Sequence, residues 1–283
     1  MTTKSPSNIH RLFSNIKLPW LLFTLLVFIA LVKLGFWQLD RAQQKIQRLE
    51  RIEKLKHQQA LSITQVINLA QNAYKNKSNT KADLTNQVMT KAQAETINDL
   101  PVKITAKFDD KHIFLLDNQV ENNALGYRVF QVAHSQSHYF LVNLGWVIGS
   151  INRQLLPQFT PVSGLQTFTG HIRKMERGVV LQEQIFDKIS WPLRLQQIEP
   201  NKLSPLIGEK LLPFVVYLDK NEEIGFIKNW HPVVMPPAKH QAYAFQWFSL
   251  ALAWLILMIW ITLKSNDNAN IKVKTTNNNN KAA

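Results

Sequence analysis

Two long apolar runs bracket a chain that is otherwise mostly polar. The first covers 18–37 and holds one charge, Lys33; the second covers 242–263 and holds none. A helix needs roughly 20 apolar residues to cross a hydrocarbon core of about 30 Å, and both runs reach that length. Core helices of soluble domains are shorter and keep a polar face. In the second run only Gln246, Ser249 and Thr262 are clearly polar, too scattered to make such a face. The first run ends in Gly35-Phe36-Trp37-Gln38-Leu39 with no small-x-small site after it, so the pattern predicts a retained anchor and not a cleaved signal peptide. Trp20 and Trp37 stand at the ends of the first run, and Tyr243, Trp247 and Trp260 near those of the second, where amphipathic rings favour the headgroup level.

Between the runs the periodicity changes twice. Leu39, Ala42, Ile46, Leu49, Ile52 and Leu55 recur at spacings of three and four, which predicts that the first helix continues beyond the membrane as an amphipathic stalk. Residues 60–97 are polar and predict loop with one or two modest helices. From Leu100-Pro101 onward the pattern is that of strands: Val102, Ile104 and Ala106 alternate with polar residues, and His112–Leu116 is a short strand with a turn at Asp117-Asn118. Tyr127–Ala133 and His138–Val147 are two strands joined by the polar loop at 134–137, and Leu165–Arg173 is another. Phe214–Leu218 and Ile224–Ile227 flank DKNEE as a hairpin. A short helix is predicted over Pro205–Leu212, capped by Ser204 and stopped by Pro213. Short connections favour antiparallel pairing.

The pattern therefore predicts an integral membrane α+β protein, with two transmembrane helices flanking a mostly antiparallel β domain. Its parts are a tail over 1–17, a transmembrane helix over 18–38, a helical stalk and connector over 39–100, a β-rich domain over 101–241, a second transmembrane helix over 242–263 and a disordered tail over 264–283.

Charge and cysteine content narrow the chemistry. The 283 residues carry a formal charge of +14, suited to anionic lipid headgroups. The basic residues are mixed with glutamates and form no nucleic-acid-binding module, so no nucleic-acid partner is expected. With no cysteine there is no thiolate metal site, disulfide or CxxC chemistry. No GxGxxG, GxxxxGK, HExxH or hydrolase serine context occurs, and no enzyme activity is expected. Flanking charge leaves orientation open. Lys4, Arg11 and Lys17 stand on one side of the first run and Arg41, Lys45, Arg48, Arg51, Lys54 and Lys56 on the other, while long segments translocate regardless of such counts.

Three segments carry a resemblance. They are Gly35-Phe36-Trp37-Gln38-Leu39-Asp40-Arg41 with Lys45 following; Gly126-Tyr127-Arg128 with Leu141-Val142-Asn143-Leu144-Gly145-Trp146-Val147; and Lys239-His240-Gln241-Ala242-Tyr243-Ala244-Phe245-Gln246-Trp247-Phe248. In this order, between two spans, they resemble the SURF1 family, the assembly factors of haem-copper cytochrome c oxidase. One departure stands out: the family usually has arginine where this chain has Leu144. The resemblance implies an inner-membrane protein, bacterial or mitochondrial, with its central domain in the periplasm or intermembrane space; no transit peptide is evident, which favours a bacterium, with the domain in the periplasm and both tails in the cytoplasm. It also implies binding of haem a for insertion into oxidase subunit I, with haem a synthase as a further partner beside membrane lipid. A scaffold that stabilises oxidase intermediates without touching haem is the alternative.

On that reading the site residues are His240, Tyr243, Trp247, Arg41 and Trp37, with His240 as the metal ligand. From the residues alone, His240 is either an interfacial side chain or an imidazole able to ligate haem iron. Tyr243 and Trp247 follow at three and seven residues, roughly on one helical face. Arg41 suits a haem propionate or, equally, a lipid phosphate, and Trp37 an aromatic contact or an interfacial anchor. His231, in Trp230-His231-Pro232, is a second candidate ligand, though the proline makes it a loop residue suited to a structural role. Gly126 and Gly145 serve backbone geometry at strand ends or bulges, with Asn143 bridging such a turn.

Overall fold

The computed structural model describes residues 18–75, 91–175 and 189–279. They divide into two compact units. One takes the chain up to Glu50 together with everything from Val233 on; the other is Arg51–Pro232.

The first unit is built on two helices, α1 (Leu18–Lys56) and the last helix of the chain, α5 (Pro237–Asn279). Both hold a stretch long and apolar enough to cross a membrane, and the protein is a multi-pass membrane protein on that basis. Small residues line their seam: Gly35, Ala244 and Ala251 are buried, while Leu22, Leu26, Ile29, Leu252 and Ile256 lie outward and exposed. That is the reverse of a soluble protein, and it suits a lipid solvent in which close backbone approach, not burial of large apolar groups, holds helices together. A Cβ on Gly35 would lie 2.6 Å from the Phe248 ring. Further along, Trp254 Nε1 donates to Thr24 O at 3.2 Å. The contacts pair ascending numbers on α1 with descending numbers on α5, so the helices run antiparallel.

Two boundaries differ from expectation. Helix α5 starts at Pro237, ahead of the apolar run, because proline suits a first turn that needs no amide. It also continues past Leu263 to Asn279, over much of the tail expected to be disordered, since no glycine or proline interrupts 264–279. The remaining tail residues and 1–17 lie outside the described residues.

The second unit is a β domain. Its helices are α2 (Ile63–Lys75), α3 (Lys91–Ile97) and α4 (Pro200–Ile207). Its strands are β1 (Pro101–Glu121), β2 (Ala124–Ser135), β3 (His138–Ile148), β4 (Gly164–Arg173), β5 (Leu193–Leu195) and β6 (Leu211–Leu218). The strand order is β2-β3-β6-β4-β1-β5, and a further β1–β2 pairing closes five strands into a ring. Strand β1 makes this possible by bending. Its first half pairs β4 and its second half pairs β2, with a register shift between Phe108 and Ile113. At that bend Asp109 receives bonds from His112 Nδ1 and the Lys111 amide. Burial works to raise the Asp109 carboxyl, but these donors outweigh it and hold it below the ordinary carboxylate range.

Pairing is mostly antiparallel, but β3–β6 and β1–β5 are parallel. Strand β6 is buried along its whole length, with Leu212, Phe214, Val216 and Leu218 entering one core and Leu211, Val215 and Tyr217 the other. The first core is covered by α2 and α3. Helix α2 buries Ile63, Val66, Ile67 and Ala70 and begins with a reciprocal cap in which the Ser62 amide donates to Gln65 Oε1 at 2.8 Å. Arg51 donates to Glu95 O at 2.6 Å and Asn98 O at 3.3 Å, serving the carbonyl end of α3.

Four local expectations are corrected. The short helix occupies Pro200–Ile207, not Pro205–Leu212. Pro200 starts it, Gly208 ends it in a left-handed conformation, and Ser204 Oγ bonds to Pro200 O instead of capping. Pro213 does not stop a helix but sits inside β6, at the register shift in its pairing with β3 where no ladder amide is required. Ile224–Ile227 does not pair with Phe214–Leu218. Ile227 pairs with Trp146, and Gly225, at φ 86°, brings its backbone against Leu144 O. Asp117-Asn118 lies within β1 as an irregularity, and the chain turns instead at Asn122-Asn123, both at positive φ as a two-residue hairpin demands.

Candidate functional site

The α1–α5 pair places His240 in the first turn of α5 beside Gln38, near the end of the apolar part of α1. His240 Nδ1 is 2.8 Å from Gln38 Oε1, a contact between residues 202 positions apart. An amide oxygen only accepts, so Nδ1 carries the hydrogen, which in the neutral ring leaves the lone pair on Nε2. This is how a ligating imidazole is held, with its orientation and tautomer fixed by a bond at the other nitrogen.

Arg41 and Trp37 come together on the surface of α1. The guanidinium carbon lies 5.6 Å from the centre of the Trp37 ring, and Nη1 donates to Gln44 Oε1 at 2.9 Å. Gln44 in turn donates to Asp40 at 2.8 Å. On α5, Tyr243 is exposed and Trp247 half-buried. Phe36 and Phe248 meet edge to face at 5.3 Å across the seam. The His240–Gln38 contact thus brings the ends carrying Trp37, Arg41 and His240 to one place, while Tyr243 and Trp247 follow along α5.

Among the described residues no group of three or more His, Cys, Asp or Glu side chains could hold a metal ion. A bare cation therefore has no donor set here. A haem would ask for less from the protein, because a single imidazole can ligate its iron. His240 could supply that imidazole, and the exposed aromatic side chains with Arg41 would suit the flanks of a planar acidic group.

The glycine and asparagine motifs of the β domain are structural, as expected. A Cβ on Gly126 would meet Val147 O and the Trp146 ring. Gly145 has φ 112°, and its amide donates to Asn143 Oδ1 at 2.9 Å. The pairing sets Val129 opposite Gly145 and Phe130 opposite Asn143, so Leu144 is the extra residue of a bulge, fully buried in the first core. His231 is exposed on the segment leaving the domain.

Sequence reading missed a polar and aromatic cluster around His171 on the second core. His171 lies 3.4 Å from Asp219 and stacks on Trp230 at 4.2 Å, while Arg173 pairs with Asp99 at 2.8 Å. The hollow beside it, lined by Asn143, Tyr217, Lys228 and Trp230, has about 10 Å³, scarcely room for one water. Burial pushes the Lys228 ammonium below its ordinary range, against the opposing pull of Glu222. This cluster is packing, not a pocket. Gln38 was also missed as the partner of His240, and nothing local in the sequence signals it.

A family model described as the SURF1 family matches residues 25–252, the greater part of the chain. No curated protein sequence matches it.

Proposed function

The chain belongs to the SURF1 family of assembly factors, which act without catalysing a reaction, and from that premise we propose that it binds haem a at the His240 end of its helix pair. In this reading it aids insertion of the haem into subunit I of cytochrome c oxidase, receives it from haem a synthase, and sits in a bacterial inner membrane with the β domain in the periplasm. The observation that carries the reading is the 2.8 Å contact that fixes the His240 tautomer through Gln38. Arg41 would meet a propionate, and Trp37, Tyr243 and Trp247 would pack on the macrocycle or line its approach. Bound haem would bring its own redox chemistry, and the chain's part is to hold and orient it.

The test is the optical spectrum of the full-length protein, purified in detergent from cells that make haem a. The parent should show a haem band, and His240→Ala should lose it while keeping its circular dichroism. Gln38→Ala should weaken haem retention by about 10- to 100-fold, the usual cost of losing the group that orients a ligand. Equal haem in parent and His240→Ala would place the ligand elsewhere. No haem in either, with oxidase assembly still dependent on the protein, would favour the scaffold that never touches haem.

A further inference from the structure

One end of the β domain carries an apolar rim that no described element covers. Val120 and Leu125 face each other across the β1–β2 hairpin, 63% and 41% exposed. Ile148, at the end of β3, is 63% exposed, and Ile151, in the loop that follows, is completely so. Three bonds hold that loop against the hairpin: Gly149 N donates to Leu125 O at 3.0 Å, and Arg153 donates to Asp117 and Asn118. The aliphatic side chains therefore share one end of the domain. Isolated exposed aliphatics need no explanation, but a group gathered on one fixed edge marks a contact surface.

We infer that this rim is a lipid-contact surface that dips into the bilayer interface. Three observations favour lipid as the occupant. The first is tether length. Ile227 pairs with Trp146, two residues before Ile148, and helix α5 begins ten residues later at Pro237. Ten extended residues and the five helical ones before the apolar run reach at most about 45 Å, so this end of the domain is tethered to the membrane within that distance. The second is charge. Asp117, in the same hairpin, is paired with the Arg153 guanidinium, and the chain as a whole is strongly positive. Both facts lower repulsion from anionic headgroups. The third is composition: the turn residues Asn122 and Asn123 are neutral, and the aliphatic groups beside them gain free energy on leaving water. The inference rests on membrane anchoring alone and stands whether or not haem binds.

The absence of cysteine makes the test direct. Leu125→Cys, Ile151→Cys and Leu165→Cys, each in the full chain, are labelled with an environment-sensitive fluorophore. They are then placed in nanodiscs of phosphatidylethanolamine and phosphatidylglycerol, with or without nitroxide-bearing lipid. Leu165 is 70% exposed opposite Lys107, on the other half of β1, and serves as the reference. Labels at 125 and 151 should shift to the blue and lose most of their emission when nitroxide lipid is present, while the label at 165 should do neither. Rim labels quenched no more than the one at 165 would overturn the inference, including the case in which a protein partner later covers them.

Discussion

Leu144 shows how much one side chain depends on the backbone that presents it. It is the extra residue of a β-bulge, and its carbonyl accepts from the Phe226 amide at 2.7 Å while its side chain fills the first core. An arginine there would place a guanidinium among apolar neighbours with no carboxylate provided for it. Leu144→Arg should therefore destabilise the domain by about 3 kcal/mol or more, read as a lowered thermal midpoint in detergent. A variant as stable as the parent would mean that the bulge can turn the side chain outward. His240, by contrast, was legible in the sequence, because a lone histidine ahead of an apolar run is conspicuous. Its partner Gln38 was not, because the contact joins residues at opposite ends of the chain and only folding brings them together.

At the scale of elements, hydropathy revealed what burial creates. The two spans, the stalk and β1 to β4 follow directly from apolar spacing, and β1 buries Val102, Ile104, Ala106 and Phe108 in strict alternation. The reading failed around Pro205 and Pro213. The strand over Phe214–Leu218 was read, but Leu211 and Leu212 were given to a helix, because Pro213 resembles a helix stop until its place at a register shift is known. The α1–α5 seam offers a test of the same kind. Phe248 can give way to a methyl group at Gly35 but not to a branched side chain. Gly35→Ala should keep the helix pair, and Gly35→Leu should part it. Oxidative cross-linking between cysteines placed at Thr24 and Trp254 would then fall severalfold in the leucine variant alone.

For the whole molecule, the strand order matters more than the strand count. Strand β6 lies between β3 and β4 and contributes to both cores, so the ring cannot close without it. A fragment of residues 51–232 should melt cooperatively, and one of residues 51–210 should not; a cooperative transition in the shorter fragment would contradict this. The position of β6 also sets a schedule. Strands are made in chain order, so β3 and β4 wait with bare edges until residues 211–218 have been synthesised and moved into place beside them. By then α1 has emerged long before, and only about twenty residues separate Leu218 from the start of α5. The domain is thus completed at nearly the same moment as the second membrane helix becomes available for insertion. A ribosome that stalls short of this point leaves two open strand edges fixed to a membrane by one helix, a species prone to aggregate and a ready substrate for quality-control proteases.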